Sequence, residues 1–454
     1  MTLLVPIMLF GWVPLTVLFF LKLKPHHAVL YSVIGGWFFL PEAIGYDLPG
    51  LPEYTKTTAI SVGLLLGSFL TRQRQSTSFK WKIYDVPIVM WCFFCPIATS
   101  LSNQLGLYDG LSGTLGNTMM YGVPYSVGRI YFNNTRTLKD LCLGIIIGGI
   151  IYLPLCLFEI RMSPKLHRII YGFLQHSFHE HIRYGGYRPM VFMQSGLVVS
   201  LWMALSTTIT FWCWRNNEEK HIKGIPMSVI FIILAVTTVL CKSANGWSAL
   251  AVGISGCILY RNFKAVSFLK ILLLVTPLYI ITRTSGLITA HDISNVAGFF
   301  FDEERIASLS ARLAQEDLIN VEALKRPFLG WGLFDRGMPI DPLTGDRIRM
   351  ARDALWLITF QSYGFVGLFS LFSSLLLGPW LILHKSKRLI KSEFHYFLTL
   401  AIVLSLVVIS FSIDSLLNGM VSPLYITIAG ALISFYTALF KNGKTGNNQS
   451  SCKS

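Results

Sequence analysis

Apolar runs close to 20 residues long recur from one end of this chain to the other, and they constrain its fold more than any other feature. A helix rises about 1.5 Å per residue, so such a run matches the roughly 30 Å hydrocarbon core of a bilayer. In lipid every backbone polar group must be bonded internally, which leaves only helices and closed barrels. A barrel would show alternating segments of about 10 residues, and those are absent here. The expected fold is therefore all-α, a polytopic transmembrane helix bundle, with residues 1–454 forming a single integral membrane domain. The runs place spans near 4–21, 28–45, 57–71, 86–102, 113–132, 140–158, 190–213, 225–241, 246–260, 267–282, 363–383, 396–413 and 424–440, about thirteen in all. Composition agrees: 13% of residues are charged, against about 25% in a soluble domain.

A net charge of +15 invites a nucleic-acid reading, but the distribution of the charges argues against it. The cations gather in alternate connections, among them Lys22, Lys24, Arg72, Lys80, Lys139, Arg215, Lys264, Lys385 and Lys441. The intervening connections are poor in them, which is the positive-inside pattern and puts the basic connections and a 441–454 tail on the cytoplasmic side. The first cations follow the first apolar run, so the N-terminus is expected outside, and the flank order is wrong for a cleaved leader. Cys92 and Cys95 form C-x-x-C inside an apolar run and read as small buried hydrophobes. There is no phosphate-binding G-x-x-x-x-G-K-[ST] loop and no H-E-x-x-H pair, and no cofactor is expected.

Two outer segments are polar enough for chemistry. The first, 159–190, carries Arg161, Lys165, His167, Arg168, His176, His179, His181, Arg183 and Arg188. Two of its histidines sit at i, i+3 spacing, but no third ligand has a convincing spacing for zinc, so the segment reads as a polar loop with no metal. The second, 283–353, is the one long excursion from the apolar pattern, with nine basic and eleven acidic residues. Loops of this length are usually functional or disordered. Residues 303–325 read as a helix, with Ile306, Leu309, Leu313, Leu318 and Ile319 at roughly helical spacing and Pro327 as its stop. Gly330 and Gly332 then allow a tight turn, and 353–362 is amphipathic and leads into the next span.

Arg312, then Pro327-Phe-Leu-Gly330-Trp-Gly332, then an aromatic amphipathic stretch ending at Gly364 and Gly367-Leu368 resembles the O-antigen ligase and O-antigen polymerase family. The likeness spans roughly 140–380 and includes Arg188, matching an arginine that heads a span of that family. The segment beginning at Cys241 is similar to a Ser-Arg-Gly-type segment of the family, with Lys242 as its nearest cation. Asp353 stands where the ligases place a histidine, and Ala354 where they place an asparagine. The resemblance implies a bacterial inner-membrane protein with 283–353 as a large periplasmic loop. It implies transfer of a glycan from a polyprenyl-diphosphate lipid to a hydroxyl of an acceptor glycan or glycolipid.

That chemistry asks for cations on the leaving diphosphate, which a guanidinium fork can grip in bidentate fashion. It also asks for a base on the acceptor hydroxyl. Arg188 and Arg312, with Arg305 and Lys242 beside them, are the expected diphosphate-binding residues, and Asp353 the expected catalytic base. The bland alternatives are a snorkelling Arg188, an Arg312 paired with Glu316 at i, i+4, and an Asp353 that caps the following helix. Asp414 reads as a local hydrogen-bonding residue. A polysaccharide transporter or flippase is the rival class, although the charges lie at helix ends rather than mid-span. The sidedness is directly testable. In a cysteine-free background, single cysteines at Pro342 and Gly443 should be labelled from opposite faces of the membrane, and labelling of both from one face would overturn the arrangement.

Overall fold

The computed structural model describes residues 1–48, 52–71, 80–299, 303–334, 336–341, 343–348, 350, 352–389 and 395–449. Pro342 lies outside them, as do the side chains of Arg305 and of 440–449. The chain is built of helices: α1 (Leu4–Lys22), α2 (Pro25–Phe39), α3 (Lys56–Leu70), α4 (Val86–Val89), α5 (Cys95–Ser102), α6 (Leu107–Asn117), α7 (Val123–Tyr131), α8 (Thr135–Met162) and α9 (Leu166–Tyr171). Then come α10 (Gly196–Arg215), α11 (Met227–Leu240), α12 (Ala244–Phe263), α13 (Val266–Thr284), α14 (Ala290–Ala297), α15 (Glu303–Ala323), α16 (Leu355–Leu389), α17 (His395–Asp414) and α18 (Pro423–Gln449). Three two-residue hairpins, β1–β2 (Gly45–Tyr46 with Tyr54–Thr55), β3–β4 (Ile182–Arg183 with Gly186–Tyr187) and β5–β6 (His221–Ile222 with Ile225–Pro226), close short connections.

Six described helical stretches are long and apolar enough to cross a membrane, by length and composition: α1, Ile83–Ser102, α8, α10, α13 and Leu355–Ser386. Four shorter ones are apolar as well: α3, α11, Leu398–Asp414 and Pro423–Leu439. Their outward faces are also apolar, with Ile232, Val236, Ile271 and Leu278 each more than half exposed. A helix apolar all round belongs inside a larger core or in lipid, and these faces look away from the core.

Each span expected from the sequence contains a helix, but several bounds move. The span expected at 28–45 stops at Phe39, where the chain turns into β1. That expected at 190–213 begins only at Gly196, after Ser195 caps it by accepting the Leu197 N–H. The span expected at 140–158 starts at Thr135, because Asn134 accepts the Thr137 N–H and opens the helix earlier. Pro96 and Pro124 explain two wide turns, Met90–Phe94 and Thr118–Gly122, that directly precede them. A proline has no N–H to give and crowds the carbonyl four residues back, so the helix widens by one residue there. Cys92 and Cys95 lie in this region as buried free thiols. The α7–α18 seam rests on small residues. A side chain at Gly128 would sit 2.1 Å from the Thr427 carbonyl, and one at Gly430 would sit 2.2 Å from that of Tyr125.

Contacts gather the basic connections at one end of the bundle. Lys139 meets Glu219 at 2.9 Å, His26 meets Asp140 at 3.0 Å, and the Thr399 hydroxyl donates to Glu218 at 2.8 Å. The opposite end carries 283–353, clamped onto a break in α16. Gly364 is non-helical there, with φ 63° and ψ −158°. The carbonyls of Gln361 and Ser362 are freed by the break and accept the N–H groups of Trp331 (2.8 Å) and Gly332 (3.0 Å). The N–H groups of Phe365 and Val366 donate to Pro327 (2.7 Å) and Phe328 (3.2 Å). The Pro327–Gly332 segment thus completes the hydrogen bonding of the broken helix. A Cβ at Gly364 would lie 2.4 Å from the Phe328 carbonyl carbon, and one at Gly330 2.5 Å from that of Ser362.

Alanine at Gly364 must therefore displace backbone and also adopt a positive φ, at roughly 1–3 kcal/mol for the strain alone. We expect Gly364→Ala to melt several degrees below wild type in detergent. Gly116→Ala, whose added carbon meets nothing within 4 Å, should melt with the wild type. Equal melting of Gly364→Ala and wild type would contradict this reading of the break.

Candidate functional site

The loop between α13 and α16 is organised by one buried guanidinium. Arg283, in the last turn of α13, has a side chain only 1% exposed. It reaches Asp317 at 2.7 Å and Glu316 at 3.2 Å, and donates to the carbonyls of Ile288 (3.0 Å) and Leu313 (3.3 Å). Its own carbonyl accepts from the Asn320 amide at 3.1 Å. Helix α15 is thereby pinned to the end of α13. Leu313, Ile319 and Ala323 are buried, whereas Leu318 is 53% exposed, which corrects its place in the expected stripe. The reason is rotation: Leu313, Glu316, Asn320 and Ala323 follow one another at three- and four-residue steps, and Leu318 falls opposite them. Further ties run from Arg336 to Asp109 at 2.6 Å, from the Thr99 hydroxyl to the Leu329 carbonyl at 2.6 Å, and from the Asn103 amide to the Gly330 carbonyl at 3.0 Å.

Two expected site residues meet on this frame. Arg312 Nε lies 3.2 Å from Asp353 Oδ2, with side chains 42% and 38% exposed, so the pair is open to solvent. The bland pairing of Arg312 with Glu316 is not the one that forms. Glu316 belongs to Arg283 instead of pairing with Arg312. Helix α16 begins at Leu355, whose N–H donates to the Ser415 carbonyl at 3.0 Å, so that amide is bonded without Asp353. Pro327, Gly330 and Gly332 form the segment that seals the broken helix. Arg305 is on α15, and its side chain is outside the described residues.

Arg188 and Lys242 form a second group around the β3–β4 hairpin. The Arg188 N–H donates to the His181 carbonyl at 2.8 Å, and Lys242 Nζ donates to the Tyr184 carbonyl at 3.0 Å. Glu159 holds this segment to the end of α8, its carboxylate accepting from the N–H groups of Leu166, Met190 and Val191 at 2.7–2.8 Å. His181 and His176 face each other at 3.4 Å, and His179 lies outside that contact. Burial, followed by His176, Arg188 and Arg183, pushes the His181 imidazole down to about 3, so it is neutral and adds no charge to the group. The turn at 415–422 lies between the two groups. Ser195 donates to Met420 Sδ at 3.1 Å, and a Cβ at Gly419 would stand 3.2 Å from the Asp353 carbonyl. Asp414, just before that turn, accepts from Asn418 at 2.8 Å and also from Asn245 of α12, so its role is wider than a local one.

Arg283, Asp317, Asn320, Asp109 and Glu159 were not foreseen, and Glu316 was expected with Arg312 instead of Arg283. A carboxylate and an amide on the otherwise apolar stripe of α15 were the available signal. Their partner lies about thirty residues away in another helix, at no readable spacing. No family model, curated protein or solved structure matches this chain.

Burial pushes Glu316 up to about 7 against the pull of Arg283, and the nearby Asp317 and Asp353 carboxylates push it the same way. The folded state therefore favours protonated Glu316. Its contribution is fully present below the ordinary carboxyl range near 4.5 and is lost as pH rises through about 7. Each pH unit in that window is worth at most about 1.4 kcal/mol. Hydrogen exchange in α15, corrected for intrinsic rate, should slow as pH falls from 7 to 5. Glu316→Gln should flatten this dependence, and an unchanged slope in that variant would remove Glu316 as its source.

Proposed function

We propose that this protein transfers a glycan from a polyprenyl-diphosphate lipid to an acceptor sugar hydroxyl, in the manner of O-antigen ligases and polymerases. The face carrying 283–353 is then the periplasmic face of a bacterial inner membrane, which the chain crosses many times, and the basic end is cytoplasmic. The observation that carries the reading is the docking of Pro327–Gly332 onto the helix break at Gly364, beside an open Arg312–Asp353 pair at the start of the same helix. The motif behind the resemblance is thus one built unit rather than scattered residues.

On this reading the donor diphosphate is gripped by Arg188, just after the hairpin, by Lys242, between α11 and α12, and by Arg312 from α15, with Arg305 adding charge along that helix. The developing negative charge on the leaving group is what these cations stabilise. Asp353 takes the proton of the acceptor hydroxyl, and Arg312 orients it. No nucleic acid and no cofactor enters. A broken helix is also a device of transporters, which favours export of the same lipid-linked glycan as a second reading.

The two readings separate in detergent, where no compartments exist. A transferase joins a defined polyprenyl-diphosphate glycan to an acceptor there, and a flippase does not. Asp353→Asn should lower transfer by about 10²–10⁴-fold at a normal melting temperature, while Asp353→His regains part of it. Arg188→Lys and Arg312→Lys should each lower transfer well beyond what kept charge would suggest, because a point charge cannot replace the fork. Wild-type rates in all four variants would remove this reading of the site.

A further inference from the structure

At the basic end of the bundle, far in sequence from the loop, His26, His27 and Asp140 each bring one donor atom within 4.8 Å of the other two. His26 Nε2 lies 3.0 Å and His27 Nε2 3.9 Å from the same atom, Asp140 Oδ2. The two histidines are consecutive residues in the first turn of α2, whose N1 residue is Pro25. Consecutive helical side chains diverge by about 100°, so their meeting on one atom is not a by-product of helix geometry. The two rings stand 4.3 Å apart, and Tyr31 stacks on His27 at 6.3 Å.

A simple His–carboxylate hydrogen bond needs only His26. At 3.9 Å the second imidazole is too far away to hydrogen-bond that oxygen. It does complete a two-imidazole, one-carboxylate donor set. Two donors about 2.1 Å from a metal and separated by a tetrahedral angle stand about 3.4 Å apart. The observed 3.0 and 3.9 Å bracket that spacing. The side chains are 14%, 35% and 21% exposed, so an ion there is reachable from solvent and retains water on its open side. The set offers one carboxylate, and the charge of Lys24 also bears on His26. That disfavours a hard cation, which needs several oxygens, and suits a borderline ion that binds imidazole well.

We propose that His26, His27 and Asp140 form a binding site for one divalent first-row transition-metal ion of the zinc type, tying the start of α2 to α8. The ion takes the place of the Nε2 proton between His26 and Asp140; His26 then carries its one ring proton on Nδ1, and both histidines bind as neutral imidazoles. The site is independent of the glycan-transfer reading and is tested without it.

The test uses full-length protein without a histidine tag, freed of metal with a chelator and held in detergent, with Zn²⁺ as the probe. Calorimetric titration should give one Zn²⁺ per chain, and Zn²⁺ but not Mg²⁺ should raise the melting temperature. His27→Ala is the deciding variant, because it leaves the His26–Asp140 hydrogen bond and the fold intact. It should bind Zn²⁺ at least tenfold more weakly and lose the melting shift, as should Asp140→Asn. His176→Ala, at the other end of the bundle, should bind as the wild type does. Wild-type affinity in His27→Ala would overturn the proposal, and so would a wild type that binds no more Zn²⁺ than the His26→Ala/His27→Ala double variant. Either result leaves a His26–Asp140 hydrogen bond alone.

Discussion

A helix broken at Gly364 leaves backbone groups that nothing within the helix can satisfy, and much of the loop end of this molecule answers that need. Each unbonded buried amide or carbonyl costs on the order of several kcal/mol in an apolar setting. Four such groups, on Gln361, Ser362, Phe365 and Val366, are bonded by the segment 327–332. The pairing requires two backbones to touch, and only residues without a Cβ permit that at Gly330 and Gly364. Loop and helix therefore specify each other. The segment gains a fixed path, and the broken helix gains the partners that let it exist. The ties from Thr99, Asn103 and Asp109 extend the same clamp to α5 and α6.

Buried charge does the rest of the positioning. Breaking a buried ion pair by removing one partner costs about 3–5 kcal/mol, because the remaining charge is stranded. Arg283 is held to both Glu316 and Asp317, and it fixes the rotation of α15 about its axis. That rotation turns Arg312 towards Asp353, while Arg283 holds the Glu316 carboxylate four residues along the same helix. An exposed pair such as Arg312–Asp353 contributes little to stability by itself. Its geometry is inherited from the buried Arg283–Glu316 contact beneath it, with the more exposed Asp317 alongside, which leaves both of its members accessible.

The helices were legible because a bilayer-length apolar run admits few alternatives, and the α15 helix because its periodicity and terminal proline agree. Bounds were less so. The early start of α8 depends on Asn134 acting as a cap among charged residues, and the end of α2 depends on a hairpin with Tyr54 and Thr55, which no local pattern announces. The break in α16 falls where the amphipathic stretch 353–362 passes into the span expected from 363, a junction that reads as one continuous helix. Gly364 was visible, but the strain that makes it necessary comes from Pro327 and Phe328, nearly forty residues earlier. Pairing of Arg312 with Glu316 was the natural local reading, and it failed because Arg283 competes for the same carboxylate from another helix. Long-range electrostatics of this kind leaves no periodic trace. The candidate site was legible only as a set of residue types in order, and its described residues fall into two groups on either side of the 415–422 turn.

That division has a consequence for the proposed reaction. On the proposed reading Arg188 and Lys242 form the hairpin-side part of the diphosphate site, where Glu159 and Lys56 fix the backbone that carries Arg188, Lys56 through the Phe192 carbonyl at 2.8 Å, and Arg312 completes it from α15. The acceptor hydroxyl is approached from the α15 side, where Asp353 is open to solvent. The neutral His181 fits the same division. Its imidazole adds no charge to the group that Arg188 and Lys242 form. On the α15 side, burial pushes Glu316 up to about 7 beneath the Arg312–Asp353 pair, so a charge there changes as pH crosses neutrality.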